Sequence, residues 1–379
     1  MRVSWRAATG IAATVISVIL ACTAAGPAQA VPANPVTATR PAAMTYSAAG
    51  ELNGVAAAAT NNAWAVGYAG ASGGTDYILM LHWNGSAWSR VTTSHVLTGQ
   101  GVLNAITVVN SKDAWAVGST GSDTHPHTLV LHWNGSTWSA LTSPAPVANG
   151  ALSAVWANTK EVWAVGSYST GPAAVQTVPL SFEEVGTRWT RHNSTGAYGV
   201  TFDGVTTTTA GVTLATGLFT GMITGSVARW NGHAWAWTTN FPEFATYHWL
   251  NGIAAGTGGT AFAVGLNTSG SGGAISIEWN GRAWVRAPMP SWANPDTVAW
   301  APGGAGFSAG AVNSGGSERA LIMRWNGHQW GRVSSPATAG QLTGLGFATL
   351  KYGWAVGETD PYTSAPKTLI EHWNGSTWS

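Results

Sequence analysis

Leu131-His132-Trp133-Asn134-Gly135-Ser136-Thr137-Trp138-Ser139 is the stretch whose reading decides the fold. Near copies stand at 81–89 and 371–379, and looser ones end at Trp235, Trp284 and Trp330. Each reads as two strand segments joined by Asn-Gly, the pair most at ease in a type I′ hairpin turn. In a two-residue hairpin Trp133 would face Ser136 and Leu131 would face Trp138. Both indoles would then lie diagonally on one sheet face.

Upstream of this stretch stands Trp115-Ala116-Val117-Gly118, repeated at 64–67, 163–166 and 354–357. Phe262–Gly265 and Phe307–Gly310 are variants, and Leu214–Gly217 is the most altered copy. Earlier still lies an inner-strand pattern, Leu103-Asn104-Ala105-Ile106, with counterparts beginning at Leu52, Leu152, Leu250 and Leu342 and weaker ones at Phe202–Val205 and around Val298. The closing tryptophans Trp88, Trp138, Trp189, Trp235, Trp284, Trp330 and Trp378 mark seven units, spaced 46–51 residues apart. Four short antiparallel strands at that period are the signature of a β-propeller blade. The 3.6-residue apolar period of helical repeats is absent. The expected fold is therefore all-β: a seven-bladed β-propeller over residues 52–379, with four antiparallel strands per blade.

Third strands such as Thr128–Trp133 are almost continuously apolar, so both faces should be covered, as blade-on-blade stacking requires. Seventeen of the 23 tryptophans occupy the three repeat positions, which assigns them to packing. An indole burying about 200 Å² contributes at most roughly 5 kcal/mol.

The chain ends at Ser379, directly after the seventh closing tryptophan, so the last fourth strand is cut short. Residues 31–51 read as a leader in which 36–40 would supply that strand, closing the ring and covering an open edge. Residues 1–30 read as a signal peptide: Arg2 and Arg6, an apolar run at Ile11–Leu20, then the small-x-small site Ala28-Gln29-Ala30. Ile19-Leu20-Ala21-Cys22 is a weak version of a lipoprotein box, which would instead anchor the chain at Cys22. Secretion is the expected destination. Cleavage after Ala30 removes the only cysteine, and with it disulfides and thiol chemistry. It also leaves fourteen Lys and Arg against fifteen Asp and Glu, no footprint for nucleic acid. No segment beyond the signal is apolar enough for membrane insertion. Charged residues are 8% of the chain, against about 25% in an ordinary domain.

Trp-Ala-Val-Gly followed by His-Trp-Asn-Gly-x-x-Trp resembles the tryptophan-rich repeats of secreted actinobacterial proteins. More distantly it is similar to kelch and Asp-box (sialidase-type) propellers. The likeness spans about 330 residues and implies a propeller. Gly135-Ser136-Thr137-Trp138 and Gly375-Ser376-Thr377-Trp378 keep the Asp-box Gly-x-Ser/Thr-Trp, but Trp133 and Trp373 stand where its aspartate belongs.

No catalytic constellation follows from the sequence. A sialidase-like site needs arginines on inner strands, and the inner-strand segments carry none. Glu183-Glu184, the only adjacent acidic pair, reads as a solvated hairpin tip in place of Asn-Gly, and adjacent strand residues face opposite ways. His82, His132 and His372 share one repeat position and His233 and His328 another, so symmetry keeps them apart. His125-Pro126-His127 is a weak ligand pair. Neither a metal nor a cofactor is implied.

Propeller sites sit on loops carried by a rigid scaffold. The short turns share one rim and the long, variable connections the other. Tyr247-His248-Trp249 and Trp292 fall in neighbouring inter-blade loops and are not needed for the repeat, so Tyr247, His248, Trp249 and Trp292 are the candidate ligand-binding residues. Trp156 and Trp300 take equivalent inner-strand positions, lining the channel or packing beneath it. The leading functional reading is a secreted, monomeric, non-catalytic binding propeller for carbohydrate, cell envelope or an extracellular protein. A second reading is an exported polysaccharide hydrolase or lyase using scattered residues such as Tyr247, His248, Asp296, Glu358 and Asp360. A third is a structural or assembly scaffold.

Deleting residues 31–41 from the mature chain should lower the melting temperature clearly; an unchanged melting curve would remove the closing-strand assignment.

Overall fold

Gly50–Ala59, Asn62–Ala69, Tyr77–Trp83 and Trp88–Arg90 form an antiparallel meander in chain order. In the computed structural model, residues 46–379 are described, apart from 71–74, 93–94, 123–124, 143, 145–146, 172–176, 194–198, 221–223, 239–247, 268–272, 315–316, 338 and 360–365. The meander recurs from Gly101, Gly150, Val200, His248, Asn294 and Gln341. The fourth and fifth units join into one sheet through a single parallel pair, Thr224 with His248. In the last unit three strands are followed by a Trp373–Trp378 bridge.

Each inner strand carries a β-bulge at the residue after its leading apolar position, as between Leu52 and Gly54 or Leu103 and Ala105. The bulged side chain reaches the next unit. Asn53 Nδ2 donates to Leu103 O at 2.9 Å and Asn104 Nδ2 to Leu152 O at 2.8 Å. Thr343 Oγ1 of the last unit donates to Leu52 O of the first. The bulge also presses the inner strand's backbone against the second strand. A Cβ on Gly118 would lie 2.0 Å from Val102 O, so the glycine of Trp-Ala-Val-Gly is required by close approach.

The three repeated tryptophan positions converge between units. Trp64 of the first unit packs against Trp133 and Trp138 of the second, with centroids 4.9 and 5.4 Å away. Trp163 meets Trp230 and Trp235, both at 5.4 Å, and Trp354 of the last unit meets Trp83 and Trp88 of the first at 4.9 and 5.1 Å. Each histidine at the common repeat position caps such a cluster: His82 lies 4.1 Å from Trp64, His132 4.1 Å from Trp115 and His372 4.6 Å from Trp354. Closing indoles also bond across units, Trp235 Nε1 to Ser181 Oγ at 3.0 Å and Trp330 Nε1 to Ser276 Oγ at 2.9 Å. The tryptophans are thus largely packing residues.

The Asn-Gly turn differs from the expected type I′ hairpin. Trp133 pairs directly with Trp138 across a four-residue loop, with centroids 5.9 Å apart. Asn134 Oδ1 accepts from the backbone N–H of Ser136 and of Thr137, each at 3.0 Å, and only Gly135 takes positive φ, at 95°. Asparagine here holds the turn with its side chain, an Asx arrangement that leaves its own φ negative. The indoles still share one face, directly opposed rather than diagonal.

First and last units meet by the same contacts that join consecutive ones. Thr128 N donates to Val147 O, and Ile78 N to Gly99 O, where the chain enters the following inner strand. Thr368 N donates in the same way to Ala48 O, and Ala49 bridges Lys367. The proposed closing strand, 36–40, lies outside the described residues.

Candidate functional site

Among the described residues, clefts open at two inter-unit junctions on the rim of the short turns, each at a departure from the repeat. The larger, about 850 Å³, lies where the fifth and sixth units meet. Phe262 stands there in place of the repeat tryptophan, and Glu278 faces it across the sheet in place of histidine. Trp300, from the inner strand Asn294–Ala301, stacks on Phe262 at 4.4 Å. Trp300 and Trp325 give the cleft an aromatic wall, while Arg324, Arg332 and Glu278 add charged groups. Burial pushes the Glu278 carboxyl above its usual range. The turn Gly303-Gly304, with φ of 99° at both residues, forms part of the lip.

The smaller cleft, about 480 Å³, lies between the second and third units. Glu183 and Glu184 belong to the strand Thr177–Val185, where they pair with Trp163 and Val162; the turn is made by Gly186 and Thr187. The expectation of a hairpin tip is therefore corrected. The period-two alternation sends them to opposite faces. Glu183 Oε2 lies 2.7 Å from His192 Nε2, and that ring caps Trp163 at 5.4 Å. Glu184 lines the cleft, at the position where other units place the indole of Trp133 or Trp83. A signal for this was present in the sequence: Glu184 precedes Trp189 by the same five residues that separate Trp133 from Trp138.

Of the candidate ligand-binding residues, Tyr247 lies outside the described residues. His248 opens the strand His248–Ala255 and is buried at the junction with the preceding unit. Trp249 is half-buried beside it. Trp292 is 48% exposed, with the Arg332 guanidinium 5.9 Å from its ring centroid. Trp292 is thus linked to the larger cleft through Arg332, a connection that loop position alone did not reveal. Among the scattered residues of the hydrolase reading, Asp360 is outside the described residues, Glu358 is buried, and neither Asp296 nor Glu358 lines either cleft.

Asp296 and Asp203 instead occupy the bulge position that asparagine fills in other units. Asp296 accepts from Gln341 Nε2 at 2.7 Å and from Asn251 Nδ2 at 3.3 Å; Asp203 accepts from Thr201 Oγ1 at 3.0 Å. Both are deep in the fold, although water still reaches part of their surface. Burial pushes each up to about 7, against the hydrogen bonds they accept; nearby Glu318 and Glu51 raise Asp296 further.

No known protein family matches the chain, and no curated protein resembles it in sequence. Solved structures do. A YCF48 protein bound to D1 peptide is 12% identical, with a TM-score of 0.54 over 86% of this chain and 92% of that one. YCF48 from Cyanidioschyzon merolae is 12% identical, with a TM-score of 0.50 over 86% of this chain and 96% of that one. A puromycin hydrolase is 10% identical, with a TM-score of 0.55 over 87% of this chain and 53% of that one, so the chain spans about half its length. At such identities the likeness establishes the fold: the chain is similar to β-propeller proteins.

The two raised aspartates fix the sign of a pH effect. The folded state holds protons that the unfolded chain releases above about pH 4, so their contribution is present in acid and is lost as pH rises toward 7. Asp296→Asn should flatten the fall in melting temperature between pH 4 and pH 8; an undiminished slope in this variant would exclude Asp296 as a source.

Proposed function

We propose that the chain is a secreted β-propeller of seven blades, closed into a ring, which serves as a non-catalytic binding module for an extracellular glycan. The observation carrying this reading is the cleft between the fifth and sixth units. It joins indole faces, which suit the apolar faces of sugar rings, to arginine donors and a glutamate acceptor, which suit hydroxyl groups. Trp292, whose ring centroid lies 5.9 Å from the Arg332 guanidinium, would extend the same chemistry outward. A similar structure holds a peptide and another is a hydrolase, so the fold by itself does not choose a ligand class.

Seven meanders in sequence support the blade count, and the repetition of inter-unit contacts between the last and first units supports closure. Residues 46–49 take the place of an inter-unit linker against the strand Lys367–Trp373, which supports a closing strand supplied by the leader. The leader at 1–30 supports export, and the mature chain would act as a monomer.

A glycan array probed with the mature chain, run beside a polysaccharide-hydrolase panel, tests the reading. Binding to at least one glycan should fall about tenfold or more in Arg332→Ala and in Trp292→Ala, without a shift in melting temperature. Turnover in the hydrolase panel, or glycan binding that neither substitution alters, would overturn it.

A further inference from the structure

The cleft between the second and third units is the one place where the repeat exchanges an indole for a carboxylate. In three other junctions the corresponding indole packs 4.9–5.4 Å from the partner tryptophan: Trp133 on Trp64, Trp83 on Trp354, Trp230 on Trp163. Here Trp115 meets only the closing indole Trp189, edge-on at 5.7 Å, and Glu184 stands in the vacated position. Trp189 is correspondingly half-buried, whereas Trp138 and Trp330 are buried. The space opened is the 480 Å³ cleft.

Its walls combine two kinds of group. Half-buried Trp189 and Leu141 supply apolar surface, with Trp115 buried behind them and capped by His132 at 4.1 Å. Asp113, Glu161 and Glu184 supply three carboxylates against the single exposed Lys160. His132 Nε2 sits 3.1 Å from Asp113 Oδ1 and holds that carboxylate in place. The acids also act on each other: burial raises Glu184, with Asp113 adding to the effect, and burial raises Glu161, with Glu183 adding. A positive ligand would relieve that repulsion. Among the described residues no three acidic or histidine side chains converge closely enough to hold a metal ion. An aromatic wall beside spread carboxylates suits an ammonium group on an aliphatic stem, whose methylenes lie on the indole while the head meets the acids.

We propose that this cleft, formed where Glu184 replaces the repeat's indole, binds the lysine side chain of an extracellular polypeptide partner. Its volume accommodates a lysine with part of its flanking backbone. The site shares no lining residue with the glycan cleft, so either can fail without the other.

Ligand-observed NMR on the mature chain, with the probe Ac-Gly-Lys-Gly-NH2, tests this at millimolar sensitivity. The control is the same peptide carrying norleucine, with glucosamine as a separate arm. The lysine peptide should bind about tenfold or more tightly than the norleucine peptide and weaken in high salt. Glu184→Trp, which restores the repeat, should abolish binding and hold or raise the melting temperature. Glu184→Gln, nearly isosteric, should weaken binding several-fold with the fold unchanged. Undetectable lysine binding, equal binding of norleucine, preference for glucosamine, or binding insensitive to Glu184→Gln would each overturn the proposal.

Discussion

The contact on which the rest of the structure depends is the one between Trp64 of one unit and Trp133 and Trp138 of the next. A four-stranded meander of small residues has two faces to cover and, among the described residues, no α-helix to cover them. Its second-strand tryptophan can be buried only against the hairpin of its neighbour. The bulge donors, Asn53 to Leu103 O and Asn104 to Leu152 O, fix the spacing at which those indoles meet. Side-chain packing on the outer half of each unit and backbone stitching on the inner half thus impose one geometry. With charged residues at 8% of the chain, ion pairs contribute little to it.

A repeat held this way makes its irregularities informative. Where Phe262 and Glu278 replace tryptophan and histidine, Trp300 moves onto the phenylalanine and an open aromatic cleft remains. Where Glu184 replaces an indole, three carboxylates gather around Trp115. Where Leu214 replaces tryptophan, Arg229 lies over Trp279 at 5.7 Å. Both clefts therefore open on the short-turn rim, between units, and arise from substitutions within strands rather than from loop length.

Much of the architecture was legible in the sequence because it rests on spacing. The recurrence of closing tryptophans gives the units, and continuous apolar third strands give two covered faces. The hairpin geometry was not legible, because Asn-Gly suits both a type I′ turn and an Asx turn, and only the side-chain acceptor of Asn134 separates them. Nor was the placement of His248: its loop-like context suggests exposure, yet the residue begins a strand and is buried at a unit junction. Glu183-Glu184 reads as a turn only because this unit has no Asn-Gly to mark one. Counting back from Trp189 instead puts them in the strand. The role of Arg332 had no sequence signal, since arginine recurs near fourth strands in several units; what distinguishes it is contact with Trp292.

A double-mutant cycle between Trp64 and Trp138, which belong to different units, measures the central contact directly. Urea unfolding of both single Ala variants and the double variant gives the coupling energy. The ring separation of 5.4 Å in edge-on geometry predicts a favourable coupling of about 0.5–1.5 kcal/mol, with one cooperative transition in every variant. Strict additivity of the two substitutions would contradict the account.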